Sequence, residues 1–194
     1  MPSDVLTQAR RLRLVDLAAQ LNNVAITPAE QRKSGACNVW GNSFSAAQMP
    51  DQPTITVAGI EFRTWHLRDA EPDNIRCAGQ LIELPAGHYD WIHLIATGER
   101  RVEDELCLHF ADHSADFEAV RVSDFWAAPA MFGETPALRS EAMHYPFHVQ
   151  FGLAATAWHQ RVPVTRRAAL TGLRLPDNPA LHVFALSLQP SPER

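Results

Sequence analysis

The stretch that decides the fold is DNIRCAGQLIELPAGHYDWIHLI, residues 73–95. Two apolar runs flank the segment LPAGHYD. Leu81 and Ile82 lead to Pro85, which cannot donate to a β-ladder, so a strand is expected to end there. The following run WIHLIAT (91–97) is apolar at nearly every position, as expected of a strand covered on both faces. LPAGHYD then reads as the corner between two strands, with Gln80 and Tyr89 at its ends.

The rest of the chain repeats this grammar. ITVAGIEFR (55–63) carries Gly59 where a hairpin would turn or bulge. ELCLHFAD (105–112) alternates, with Leu106, Leu108 and Phe110 on one face and Cys107 and His109 on the other. After ADHSAD comes FEAVRVSDF (117–125), and the two runs predict an antiparallel hairpin. HYPFHVQFGLA (144–154), WHQRVPV (158–164), AALTGLRLP (168–176) and LHVFALSL (181–188) supply further strands. In the last, Leu181, Val183 and Ala185 are expected on one face, and His182, Phe184, Leu186 and Leu188 on the other. Fourteen prolines leave few windows for a long helix. Residues 4–21 could form one, capped by Asp4, or a strand entering a turn, and 127–142 reads as a long loop. With no repeat or linker, the expectation is one all-β domain over 1–194: a two-sheet antiparallel sandwich, with 1–13 as an N-terminal arm.

Of the 194 residues, 46% are apolar and 20% charged, a globular composition. The net charge of −5 argues against nucleic acid or an anionic membrane as partner. There is no apolar run of membrane-spanning length and no continuous apolar segment of signal-peptide type near the start. The expectation is a cytoplasmic protein, or a secreted one if a signal was removed. Cys37, Cys77 and Cys107 have no CxxC spacing, and their odd number leaves a free thiol.

Several motifs together resemble a family. They are VDLAAQLNN (15–23), GNSFSAAQMP (41–50), VAGIEFR (57–63), DNIRCAGQLIELPAG (73–87), YDWIHLIATG (89–98), HFAD (109–112), VSDFW (122–126) and LRLPDNPALHVFALSL (173–188). Their order is similar to that in the β-sandwich accessory domains of glycoside hydrolases, which are jelly-roll-like and related to galactose-binding modules. The likeness spans roughly 15–188. It departs at Asp112-His113, where the family has Asp-Gly, and at Ser123-Asp124-Phe125-Trp126, where a residue precedes the expected Trp. No hydrolase domain accompanies it in this chain. The resemblance implies a jelly-roll or galactose-binding-like sandwich and a non-catalytic, carbohydrate-binding role, and it allows a structural Ca²⁺ on carboxylate and carbonyl oxygens.

A sugar site needs an aromatic face for the C–H side of a pyranose and placed polar groups for its hydroxyls. The candidates are Asn38, Trp40 and Asn42 in NVWGN, Trp65 and His66 after the EFR run, and Asp124 and Trp126 in SDFW. Trp91 and Trp158 read as packing residues. Asp16, Asn22 and Asn23 are the calcium candidates. One alternative is a small metal-dependent enzyme of the cupin kind, using histidines among His88, His93, His109, His113, His144 and His148, although no His-x-His pair is present. Another is a structural or oligomer-forming sandwich without a ligand. No catalytic serine elbow and no phosphate-binding glycine motif occurs. Glu103-Asp104-Glu105 reads as a solvated inter-strand turn.

Overall fold

The computed structural model describes residues 11–126 and 128–192. Fourteen strands are present among them: β1 (Arg13–Leu14), β2 (Ile26–Thr27), β3 (Ser43–Ser45), β4 (Thr54–Val57), β5 (Ile60–Arg63), β6 (Ile75–Arg76), β7 (Leu81–Gly87), β8 (Tyr89–Gly98), β9 (Val102–Phe110), β10 (Ala115–Val122), β11 (Thr135–His144), β12 (Val149–Pro163), β13 (Leu170–Arg174) and β14 (Leu181–Pro190). The larger sheet runs β1-β14-β8-β12-β11-β3-β2, with β6 also paired to β14. The smaller runs β10-β9-β13-β7. The chain alternates between these layers, giving the antiparallel, jelly-roll-like sandwich expected. The short β2–β3 pair is parallel.

The main core lies between the sheets. Ile92 and Leu94 of β8, Val162 of β12 and Leu186 of β14 meet Leu106 and Leu108 of β9 and Leu173 of β13. Each such fully buried aliphatic side chain contributes about 1.5–3 kcal/mol. The larger sheet also has a second core on its far face. There Ile95, Phe184, Ala155 and Met143 pack beneath Ile26, Phe44, Val57 and Phe62, which belong to the N-terminal segments and the β4–β5 hairpin. This double cover is why WIHLIAT is buried on both faces, His93 and Thr97 included. The hairpin turns at Ala58 and Gly59, both at positive φ, as a two-residue turn of matching twist requires.

The LPAGHYD corner forms around Tyr89. Its Oη donates to the Pro85 carbonyl at 2.7 Å. A Cβ on Gly87 would lie 2.9 Å from that same Oη, so the ring's close approach requires glycine. At the other end Gln80 closes its own turn, accepting from Ala78 N–H at 2.7 Å and donating to Arg76 O at 3.0 Å.

Five local expectations need correction. β7 continues through Pro85 to Gly87, because it is an edge strand whose open side needs no ladder hydrogen bond from Pro85. The alternation of β14 breaks at a bulge between Val183 and Ala185. Phe184 and Ala185 both enter the second core, and Leu186 and Leu188 join Leu181 and Val183 in the first. Residues 127–142 are not all loop, since Thr135–His144 is β11. Glu103, Asp104 and Glu105 lie on β9 rather than in a turn. In the N-terminal arm, residues 1–10 lie outside the described residues and Arg13 begins β1; a helix over 4–21 gives way to a single 3₁₀ turn at Ala18–Gln20 among the described positions. No helix among the described residues is long and apolar enough to cross a membrane.

Replacing Gly87 by alanine should displace the Tyr89 ring and break its bond to Pro85. The expected cost is about 1–3 kcal/mol, read by chemical denaturation.

Candidate binding face

The NVWGN loop is built by its own amides. Asn38 Oδ1 accepts from the backbone N–H groups of Trp40 and Asn42, both at 3.1 Å. Asn38 Nδ2 donates to Asn42 Oδ1 at 2.8 Å, and Asn42 Nδ2 reaches His144 O at 3.4 Å. Both asparagines are buried. Their polar atoms therefore hold the loop, and the indole of Trp40 stands 61% exposed at its tip.

This loop seats on the turn between β11 and β12. Gly41 lies so close to Pro146 that a Cβ would sit 3.0 Å from Pro146 Cγ. In that turn the Tyr145 and His148 rings stack at 4.7 Å, which projects Phe147 outward, 82% exposed. Lys33 Nζ lies 5.6 Å from the Phe147 ring centre. Phe151, two residues into β12, is 77% exposed. Trp126 belongs to the same end, since its Nε1 donates to Met143 Sδ at 3.1 Å and Met143 pairs with Phe44 beside His144 and Ser43. The residue inserted in SDFW, Phe125, goes into the second core 6.4 Å from Phe44, which leaves Trp126 at the surface.

Asp124 serves the backbone here: Oδ1 accepts from Trp126 N–H at 2.9 Å, and its carbonyl accepts the Trp158 indole N–H at 3.1 Å. Burial raises the pKa of its carboxyl. Trp158 is core, and Trp91 lies under the Arg161 guanidinium at 4.5 Å. Trp65 and His66 fall elsewhere. Trp65 packs against the main core with Arg63 over its ring, and His66 Nδ1 bonds Asp69 at 3.1 Å beside a shallow cleft with Pro53 and Arg68. The structure thus puts Asn38, Trp40 and Asn42 in one loop, ties Trp126 through Met143 to the ladder beside that loop, makes Asp124 a support of the Trp126 backbone, and gives Trp65 and His66 other partners. Phe147 and Phe151 are missing from the candidates drawn from sequence because HYPFHVQFGLA reads there as one strand. Pro146 is the signal that marks the turn.

The calcium candidates have protein partners. Asp16 accepts from Ala18 N–H at 2.9 Å and faces Arg63 at 3.5 Å. Asn22 brackets the Arg76 backbone, accepting from its N–H at 2.7 Å and donating to its carbonyl at 3.1 Å. Asn23 joins a buried network in which its Nδ2 donates to Asn74 Oδ1 at 3.2 Å and His182 Nδ1 lies 2.9 Å from the same oxygen. Next to it Asp73 accepts from Ala25 and Ile26 N–H and from Asn74, yet burial outweighs these donors and raises its pKa to about 8.

The histidines are spread over separate contacts. His144 Nδ1 meets Thr27 Oγ1 at 2.9 Å and His109 Nε2 meets Cys107 Sγ at 3.6 Å. No group of three His, Cys, Asp or Glu side chains placed to hold a metal occurs among the described residues. His93 and His159 form a stacked pair, Nδ1 to Nε2 at 3.0 Å, and His93 Nε2 donates to Gln189 Oε1 at 3.1 Å. That leaves His93 Nδ1 as the acceptor of the His159 N–H. Burial, and then the charges of His93 and Arg161, hold His159 down to about 4, and burial lowers His93.

A family model described as the AziU2-like beta-sandwich domain matches residues 10–192. The chain belongs to this family. No curated protein matches it significantly.

The histidine pair sets a pH dependence. An unfolded histidine titrates near 6.5, so between there and about 4 the unfolded chain binds the extra proton and the folded one resists it. Stability from this pair is whole above pH 6.5 and is lost as pH falls toward 4. His144 and His182 shift the same way. The measurement is therefore the melting temperature against pH of wild type and His159→Phe, with the variant expected to lose less on acidification.

Proposed function

We propose that this sandwich is a non-catalytic binding module, and that it takes a carbohydrate on the face formed by Trp40, Phe147, Phe151 and Trp126. The reading rests on the exposed indole of Trp40, carried on a preorganised loop. A large aromatic face left in water on a loop fixed by two buried asparagines can cover the C–H side of a pyranose without the cost of ordering that loop. Phe147, on the turn that supports this loop, widens the platform. Since Asn38 and Asn42 commit their amides to the loop, stacking supplies more of the binding than hydrogen bonds to hydroxyls. Modest affinity follows, because sugar hydroxyls exchange good water hydrogen bonds for few protein ones. On this reading the likeness to the accessory sandwiches of glycoside hydrolases extends from fold to role.

The apolar side chains of Val39 and Met131, also exposed, favour a second occupant, another copy of the chain. Sedimentation at several concentrations separates the two, since only the second predicts reversible dimers.

A glycan array probed with wild type, Trp40→Ala and Phe147→Ala tests the proposal. Trp40→Ala should abolish binding and Phe147→Ala weaken it, with stability changed by no more than about 0.5 kcal/mol, as for exposed positions. A silent array, or wild-type binding in both variants, would count against it.

A further inference from the structure

The outer face of the smaller sheet, remote in topology from the aromatic end, carries a second chemistry. Strand pairing aligns Phe117, Cys107, Arg174 and Leu81 across β10, β9, β13 and β7. The neighbouring row is Ala115, His109, Gly172 and Glu83. Cys107 and His109 are two apart on one strand, so both side chains lie on the face away from the core, where each is half-buried. Cys107 Sγ lies 3.6 Å from His109 Nε2, within hydrogen-bond reach for sulfur.

Beside this pair the sheet is hollowed. A cleft of about 490 Å³ is lined by Leu81, Glu83, His109, His113, Thr171 and Gly172. Gly172 keeps the floor open: a Cβ there would meet Ile82 O at 3.4 Å and His109 Cβ at 3.8 Å. Phe117, opposite Cys107, is 66% exposed and offers an apolar wall. Arg174, on the other side of Cys107, is exposed and donates from Nη1 to the Gly79 carbonyl at 2.9 Å.

The other two cysteines make the contrast. Cys37 and Cys77 are fully buried, and burial raises the pKa of both thiols. A fully buried thiol in an apolar setting is inert, while a partly accessible one beside a base, as Cys107 is, can react.

We infer that Cys107 is a reactive thiol with His109 as its base, and that it is a site of reversible modification by low-molecular-weight disulfides. In the step, His109 Nε2 takes the proton from Cys107 Sγ. The thiolate attacks one sulfur of the reagent, whose S–S bond breaks as the Cys107–sulfur bond forms. The other half leaves as a thiolate and collects a proton from the imidazolium or solvent. The reagent disulfide is the oxidant, and one of its halves is reduced to the free thiol.

The test uses the folded chain and a dipyridyl disulfide, with the modified cysteine located by peptide mapping. Cys107 should be labelled at least about tenfold faster than Cys37 and Cys77, and His109→Ala should slow Cys107 by about tenfold. Free imidazole should restore part of that rate, which a merely structural role for His109 would not allow. Labelling of Cys107 no faster than of the buried cysteines, or an unchanged rate in His109→Ala, would overturn the inference.

Discussion

Everything in this fold depends on β8 and β14 being covered on both faces. A strand pair with so many apolar side chains on each side cannot end a two-layer structure, because one face would stand in water. The smaller sheet covers one face with Leu106, Leu108 and Leu173, and the N-terminal segments with the β4–β5 hairpin cover the other with Ile26, Phe44 and Phe62. The bulge at Phe184 and Ala185 serves the same constraint. It sends two consecutive residues of β14 into the second core and returns Leu186 and Leu188 to the first.

That cover has a consequence for function. The N-terminal segments that shield the second face end in the NVWGN loop, and the loop inherits a rigid seat on β3 and β11. The backbone that carries its exposed indole is therefore held by the core rather than by a ligand. The same β3–β11 ladder carries Met143, against which Trp126 rests, so the aromatic face grows out of the second core. On the outer face of the smaller sheet Phe117 is exposed, and Cys107 and His109 are half-buried.

Much of this is legible in the residues. The alternation in ELCLHFAD names the buried and outward faces of β9 correctly, and the nearly continuous apolar run in WIHLIAT marks a strand covered twice. The corner at LPAGHYD is readable because Pro, Gly and Tyr each have a restricted use there. What stays hidden depends on tertiary contacts. A bulge leaves no mark in LHVFALSL, because every residue around it is apolar or neutral enough to lie on either face. β11 is hidden in a stretch rich in Ala and broken by Pro129 and Pro136, whose pairing with β12 and β3 outweighs weak local preference. The sequence offers the amides of Asn38 and Asn42 as binding groups and suggests sugar hydroxyls as their partners. The structure turns them inward, since an Asn two residues before a turn N–H commonly binds its own backbone. Trp65 and His66 resemble the other loop aromatics in composition, and only the packing of Trp65 on the main core separates them.

The most direct test is a nitrogen-resolved titration of the indole N–H signals of the five tryptophans with oligosaccharides. Binding at the aromatic end predicts that Trp40 and Trp126 shift and broaden together, while Trp65, Trp91 and Trp158 stay in place. Shifts confined to Trp65, or none at any tryptophan, would contradict the assignment of this face as the binding site.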